Sequence, residues 1–366
     1  MWVSTSNIRD DKGRKFRLHP FFQVEFRRIG IFECCVSKFL LLRFSSIGDI
    51  VLTSPVIRCL KEQLPGAEVH FLTKRSFEPV LQHNPYIDRL HLTGTGDQLP
   101  LRELKAERFD AIIDLHHNLR TLRVAAALGV KRYAFRKLNV EKWLRVNLKV
   151  DRLPKLHIVD RYLETVAGFG VRNDGKGLDY FISEDEEQEG LSILPPSHRN
   201  GYIGFVIGAR HETKRMPDRN LVTLCGMLKR PVVLLGGKED AELGEFIRHR
   251  VGETVFNACG KSGLNASAAL VKHADSIITH DTGLMHIAAA FGKRIVSVWG
   301  NTIPEFGMYP YKKQGSTEPI FIEEVKNLSC RPCSKIGYGK CPKGHFRCMR
   351  DQNLFAIAEH TLGRDT

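Results

Sequence analysis

Long apolar stretches are missing from this chain. Its longest apolar runs, such as Phe39–Leu42 and Pro231–Leu235, fall far short of the ~20 residues a spanning helix needs. It does not read as an integral membrane protein. Cysteine is also sparse: nine in 366 residues is no disulfide scaffold. Cys59, Cys225 and Cys259 stand singly in apolar surroundings and read as core. The N-terminal segment lacks the basic start, apolar middle and small-residue cleavage site of a secretory signal, so a reducing cytoplasm is expected.

Acidic residues are in deficit. Lys plus Arg number 55 against 41 Asp plus Glu, a formal charge of +14. The excess is concentrated in Lys131–Lys155 and Cys330–Arg350. Such clusters suit phosphate-rich partners, whether nucleic acid, nucleotide or an anionic membrane surface; a solvated helix face is the plain alternative. With 42% hydrophobic and 26% charged residues the composition is globular, and the length favours two domains.

Residues 1–37 mix Phe and Arg without a period and look foreign to the rest of the chain. They read as an extra arm, either mobile and basic or the product of a start placed too early. An arm touching a membrane through Phe16, Phe21, Phe22 and Phe26 is the functional version.

From Lys38 the chain alternates short apolar runs with helical periods. Strands are expected at Lys38–Arg43, Glu68–Leu72 and Ala111–Leu115, and helices at Ser54–Leu64, Leu119–Leu128 and His157–Phe169. Ser183–Glu189 and Pro195-Pro196-Ser197 read as a linker or loop, with a separate surface helix as the alternative, and the alternation restarts at Tyr202–Ile207. Further strands are expected at Val232–Leu235, Ser276–Thr279 and Ile295–Trp299. The helices between them fall near Asp218–Lys229, Asp240–Arg250, Ala266–His273 and Gly283–Phe291. Such alternation predicts parallel sheets covered by helices, an α/β fold. The divisions expected are 38–190, 200–349 and a C-terminal helix in 350–366 packing back across the junction.

Three strand-end loops carry candidate chemistry. Arg43-Phe44-Ser45-Ser46-Ile47-Gly48-Asp49 comes directly after the first strand, where ligands sit in open parallel sheets. It is not a GxGxxG fingerprint, and Asp49 could simply favour a helix N-terminus. Gly208–Arg215 offers Thr213, Lys214 and Arg215 for charge-assisted bonds to phosphate oxygens. His280-Asp281-Thr282-Gly283-Leu284-Met285-His286 runs from a strand into a helix, whose free N–H groups bind anions; Asp281 as an N-cap is equally compatible.

These residues carry a resemblance. Phe44–Pro55 and Asp281–Ala290, with Trp299-Gly300 beyond, resemble the two signatures of glycosyltransferase family 9, the ADP-heptose:lipopolysaccharide heptosyltransferases. Thr213-Lys214 and Leu235-Gly236-Gly237 fall in order between them, and the likeness runs from about residue 38 to about 362. It implies a GT-B fold, two Rossmann-like domains with the active site in the cleft between them. It also implies an inverting transferase moving a heptose or related sugar from an ADP-sugar to a lipopolysaccharide core or similar lipid-linked acceptor.

By motif position Asp49 matches the catalytic base. Thr213 and Lys214 match donor-phosphate contacts, and Asp281, Thr282 and Gly283 the donor loop, with Leu284 and His286 beside them. The ribose-binding acid is Glu239 or Asp240. Ser46, Gly48, His116, Asn118, Arg120, Arg132 and Arg136 are expected on the acceptor side, where a phosphate-bearing acceptor would also explain Lys137 and Arg145. The run Asn301-Thr302-Ile303-Pro304 departs from the family's usual Pro-Thr-Asp-Pro-like stretch, which bears on donor choice.

One base to take the acceptor proton and positive charge on the departing diphosphate suffice for this chemistry. No DxD-like pair stands at a strand end, so no cofactor is expected to be required. Cys330-x2-Cys333-x7-Cys341-x6-Cys348 leaves structural zinc open against free thiols or a pair closing a loop. The expected location is cytoplasmic, peripheral on the inner face of the membrane. The competing readings are a sugar-nucleotide epimerase of similar fold and a nucleic-acid-binding protein. The second would stack bases on Tyr133, Phe135 and Trp143 within the basic run; no nucleic-acid partner is expected.

Overall fold

The structure is a computed structural model and describes residues 37–364. Expectations for the arm 1–37 lie outside the described residues, Ser37 apart. Residues 37–364 fall within one compact unit. The first strands are β1 (Lys38–Leu42), β2 (Glu68–Thr73), β3 (Arg89–Leu92), β4 (Ala111–Asp114) and β5 (Arg132–Ala134). They make a parallel sheet in the order β3-β2-β1-β4-β5. Its helices are α1 (Ile47–Val51), α2 (Ser54–Gln63), α3 (Leu101–Ala106), α4 (Leu119–Leu128), α5 (Asn139–Trp143) and α6 (Ile158–Leu163).

After α7 (Glu184–Ser192) come β6 (Ile203–Val206), β7 (Val232–Leu235), β8 (Val255–Asn257), β9 (Ser276–His280), β10 (Arg294–Trp299) and β11 (Ile320–Glu324). They build a second parallel sheet, β11-β10-β9-β6-β7-β8. Its helices are α8 (Asp218–Leu228), α9 (Ala241–Val251), α10 (Leu264–His273), α11 (Gly283–Ala290), α12 (Arg347–Arg350) and α13 (Leu354–Leu362). This is the expected α/β pair of Rossmann-like halves. Each first strand, β1 or β6, has one later strand on either side, so the connections leave toward opposite sides of the sheet, which opens a crevice at its carboxyl end.

Two expectations are corrected. Ser183–Glu189 is not a loop. Ser183 accepts from the Glu186 N–H, the Glu186 carboxylate accepts from the Ser183 N–H at 3.1 Å, and α7 begins there. This reciprocal cap satisfies two otherwise orphaned donors, and the acidic first turn suits the helix dipole. Gly190 then lets α7 close on α10, since a Cβ there would meet the Ala266 carbonyl. The C-terminal helix does not run back onto the first half: Ile357 and Ala358 are buried in the core of the second sheet, with α8, β9 and β10 as neighbours.

Candidate active site

Asp49 sits in the first turn of α1, just beyond the end of β1. Arg43 Nη2 lies 2.6 Å from its Oδ1, and Ser46 donates to Oδ2 through Oγ at 2.7 Å and the backbone N–H at 3.2 Å. Burial alone would raise the carboxyl's pKa. The Arg43 guanidinium and the Ser46 donors outweigh it and hold the group below the usual carboxylate range. Arg43 is itself fixed, donating to the Leu115 carbonyl at 2.5 Å and to the Tyr162 hydroxyl at 2.8 Å.

Across from this turn, β9 ends at His280, Asp281 comes next, and α11 begins at Gly283. A Cβ on Gly48 would lie 2.6 Å from His286 Cδ2, and one on Gly283 would lie 2.8 Å from Ile47 Cγ2. Both glycines are there because the two helix starts touch. His286 is buried, its pKa pushed down to about 4 by that burial against the fields of Asp281 and Asp49. At neutral pH it is an uncharged ring between two carboxylates. Lys214 Nζ stands 2.6 Å from Asp281 Oδ2, and Thr302 donates to the same oxygen at 3.1 Å. Thr282 stands at the N-cap position of α11 without a side-chain capping bond and shares a 3.3 Å hydroxyl contact with Thr279, while Leu284 is half-buried in the following turn.

Thr213, expected at the donor phosphates, is engaged by the Cys-rich segment. It is buried, donating to the Tyr338 carbonyl at 3.0 Å and accepting from the Tyr338 N–H at 2.8 Å. Its hydroxyl positions the Cys-rich loop rather than standing free beside Lys214. Glu239 and Asp240 differ in burial. Asp240 is buried, accepts from the Gly237 N–H at 2.9 Å and pairs with Arg215. Glu239 is exposed at the carboxyl end of β7.

On the first half, Phe44, Ser45, Lys74, His116, Asn118, Leu119 and Arg120 line a cavity of about 440 Å³. His116 is neutral there, its pKa lowered to about 4 by burial and by Arg43 and Lys137. Arg120 lies over the Phe44 ring at 5.2 Å, and the Asn118 side chain caps α4, accepting from the Thr121 N–H at 3.0 Å. Arg132 is engaged elsewhere, 2.7 Å from buried Asp114, and exposed Arg136 pairs with Glu141 at 2.7 Å.

Sequence reasoning did not single out Lys142 or Lys335. Lys142 is lowered to about 8 by burial and by Arg161, and it feels Asp49, Asp281 and Lys335 together. The signal available was its place inside a basic run. Of the aromatics in that run, Phe135 is buried, Tyr133 packs on Phe169, and Trp143 is exposed.

In the Cys-rich segment, Cys333 Sγ donates to the Cys330 carbonyl at 3.0 Å, and Cys330 Sγ lies 3.8 Å from His345 Nε2. Burial raises Cys333 to about 11 and Cys348 to about 12. Cys341 is half-buried. Among the described residues the four sulfurs do not converge at ligand distance. The segment is clasped by Arg331, bound to Gly300, Thr302, Val325 and Glu324, and by Lys149 of the first half, bonded to the Cys330 and Pro332 carbonyls at 3.1 and 2.7 Å.

Known proteins resemble this chain in sequence and in fold. The model of glycosyltransferase family 9 (heptosyltransferase) matches residues 100–333. Lipooligosaccharide heptosyltransferase 2 of Haemophilus influenzae is 23% identical over 286 residues, covering 72% of this chain and 83% of that protein. Among solved structures, a family 9 glycosyl transferase from Veillonella parvula superposes with a TM-score of 0.69 at 22% identity, over 90% of this chain and 98% of that one. The ADP-heptose lps heptosyltransferase II of Escherichia coli gives 0.66 at 21%, over 89% and 98%. The fold is therefore GT-B.

Proposed function

Since the chain belongs to glycosyltransferase family 9 and is a glycosyltransferase, we propose that it moves a heptose from ADP-heptose to a hydroxyl of a lipopolysaccharide core acceptor, with inversion. The observation carrying this reading is the ionised Asp49, held by Arg43 and Ser46, facing neutral His286 and the Lys214–Asp281 loop. The names of the relatives support the choice of donor and acceptor class.

In this reading the acceptor oxygen attacks the anomeric carbon as the bond to the diphosphate breaks. The oxygen's proton goes to Asp49, and the electron pair leaves with ADP. A carboxylate held at low pKa is a weak base in the ground state. It accepts the proton as the new C–O bond forms and the hydroxyl becomes acidic, which contributes roughly 10²–10⁴-fold. Negative charge growing on the diphosphate is met by Lys214 and by the free N–H groups at the start of α11. The proposed step therefore needs no metal, and structural zinc in the Cys-rich segment is a separate proposal. Glu239 is assigned to the ribose, and Asp281 keeps Lys214 oriented until phosphate replaces it.

The acceptor is assigned to the cavity beside Phe44, where Arg120, Lys74 and His116 converge, with Lys137 and Lys142 supplying charge for its phosphates. Exposed Leu119, Val140, Trp143 and Leu148 stand among these basic residues. Apolar and basic groups on one surface suit peripheral contact with an anionic bilayer, which supports a place on the cytoplasmic face of the membrane. No described helix is long and apolar enough to cross one. Incubation with ADP-heptose and a heptose-deficient core acceptor tests the reading. A product with anomeric configuration opposite to the donor is expected; retention or no transfer overturns it.

A further inference from the structure

Two buried imidazoles at the edge of the first sheet face each other in a way that hydrogen bonding alone leaves one cation short. His70 on β2 and His91 on β3 are each 1% exposed, with His70 Nδ1 2.9 Å from His91 Nε2. The other nitrogen of each ring is committed: His70 Nε2 lies 2.7 Å from Glu68 Oε1, and His91 Nδ1 lies 2.7 Å from Glu103 Oε1. An ionised carboxylate only accepts, so each ring must direct an N–H at its glutamate, and a neutral imidazole has only one. The two nitrogens facing each other then both present lone pairs. Glu107, just after α3, brings Oε2 to 3.9 Å from His70 Nδ1, and the three ligand atoms lie within 4.8 Å of one another.

We propose that His70 Nδ1, His91 Nε2 and a Glu107 carboxylate oxygen form a binding site for a divalent transition metal of the zinc class. Imidazole and carboxylate donors suit such ions, and a water would fill the fourth position. The outer partners fit as well: histidines that bind metal ordinarily direct their second N–H to a carboxylate, which fixes the tautomer, and Glu68 and Glu103 do so here. Phe109 packs edge-on against both rings at 5.2 and 6.1 Å between centroids and holds their orientation.

Around the pair stand three carboxylates, Glu68, Glu103 and Glu107, against two cations, Lys38 and Arg89, so added positive charge is favoured. Lys38 Nζ is 3.0 Å from Glu107 Oε2, but a carboxylate has further lone pairs to offer. Binding would open the facing nitrogens to about 3.3 Å, the separation set by two bonds of about 2.0 Å at a tetrahedral ion. The site lies beside Lys38, the first residue of β1, whereas Asp49 stands past that strand's other end. Its role would be to tie β2, β3 and α3 together, independently of the transfer reaction.

The test uses the purified full chain, stripped with a chelator and titrated with Zn²⁺ and Co²⁺. One equivalent of cobalt should bind with ligand-field bands and without sulfur-to-cobalt charge transfer. His91→Gln should abolish that equivalent and Cys333→Ser should keep it. Glu103→Gln, which acts through His91, should weaken it about 10–100-fold. Circular dichroism checks that each variant folds. If His91→Gln does not fold, the wild-type cobalt spectrum and Glu103→Gln still decide. Absence of nitrogen- and oxygen-ligated cobalt in the folded wild type would mean that a shared proton fills the gap, and would overturn the proposal. So would uptake insensitive to both variants.

Discussion

A Cβ on Gly48 would lie 2.6 Å from His286 Cδ2 and 3.4 Å from the Gly283 Cα. The closeness of α1 to α11 thus depends on the missing side chain, and it sets Asp49 against the Lys214–Asp281 loop. Gly48→Ala should push His286 aside or part the two helix starts. Overpacking of this kind costs about 1–3 kcal/mol, so a lower Tm and a large fall in turnover are expected. Wild-type values for both would show that the contact yields freely.

Asp49→Asn keeps size and polarity but cannot take the proton. Turnover should fall at least about 100-fold with ADP affinity within a few-fold of wild type. Folding should survive, because Arg43 retains its bonds to Ser45, Leu115 and Tyr162. Single-turnover transfer and ADP calorimetry measure the two effects, and near-normal transfer would remove Asp49 from the base role.

Glu239 and Asp240 should separate cleanly. Glu239→Gln is expected to weaken ADP binding several-fold and leave Tm unchanged, since the side chain is exposed. Asp240→Asn should lower Tm, because it breaks a buried pair with Arg215, where losing one partner costs about 3–5 kcal/mol. The reverse pattern would exchange their roles.

Lys142 gives a pH signature. Burial lowers its pKa from 10.5 to about 8, so its positive charge is present below pH 8 and lost above it. The KM for a phosphorylated acceptor should rise as pH passes 8, and Lys142→Arg, charged throughout, should remove the rise. For stability the sign is opposite. Between pH 8 and 10.5 the unfolded chain binds the extra proton, so this residue's contribution to stability grows with pH.

Lys214→Ala should weaken ADP binding and turnover together, because the same ammonium would meet the diphosphate before and during departure. Titration calorimetry beside initial rates checks this. Unchanged ADP affinity with slowed turnover would place Lys214 away from the donor.

The sequence was enough to set out the strand–loop–helix units and their parallel pairing, because those signals are local: apolar runs such as Val232–Leu235, and glycine-bearing turns at Gly48 and Gly283. It also marked the strand-end loops that carry Asp49, Lys214 and Asp281, whose residue types and spacing were legible without a fold. The short edge strands β3, β5, β8 and β11 were not, since a few mixed residues become strand only by pairing with a neighbour. Nor was α7, whose apolar content is low and whose Gly190 makes sense only against Ala266 of α10. The tertiary structure alone decided that Thr213 serves Tyr338, that Arg132 serves Asp114, and that Glu239 rather than Asp240 faces outward. Each of those outcomes is a competition for a hydrogen bond or a buried volume. The competitors are separated in sequence and meet only once the half that carries them has folded.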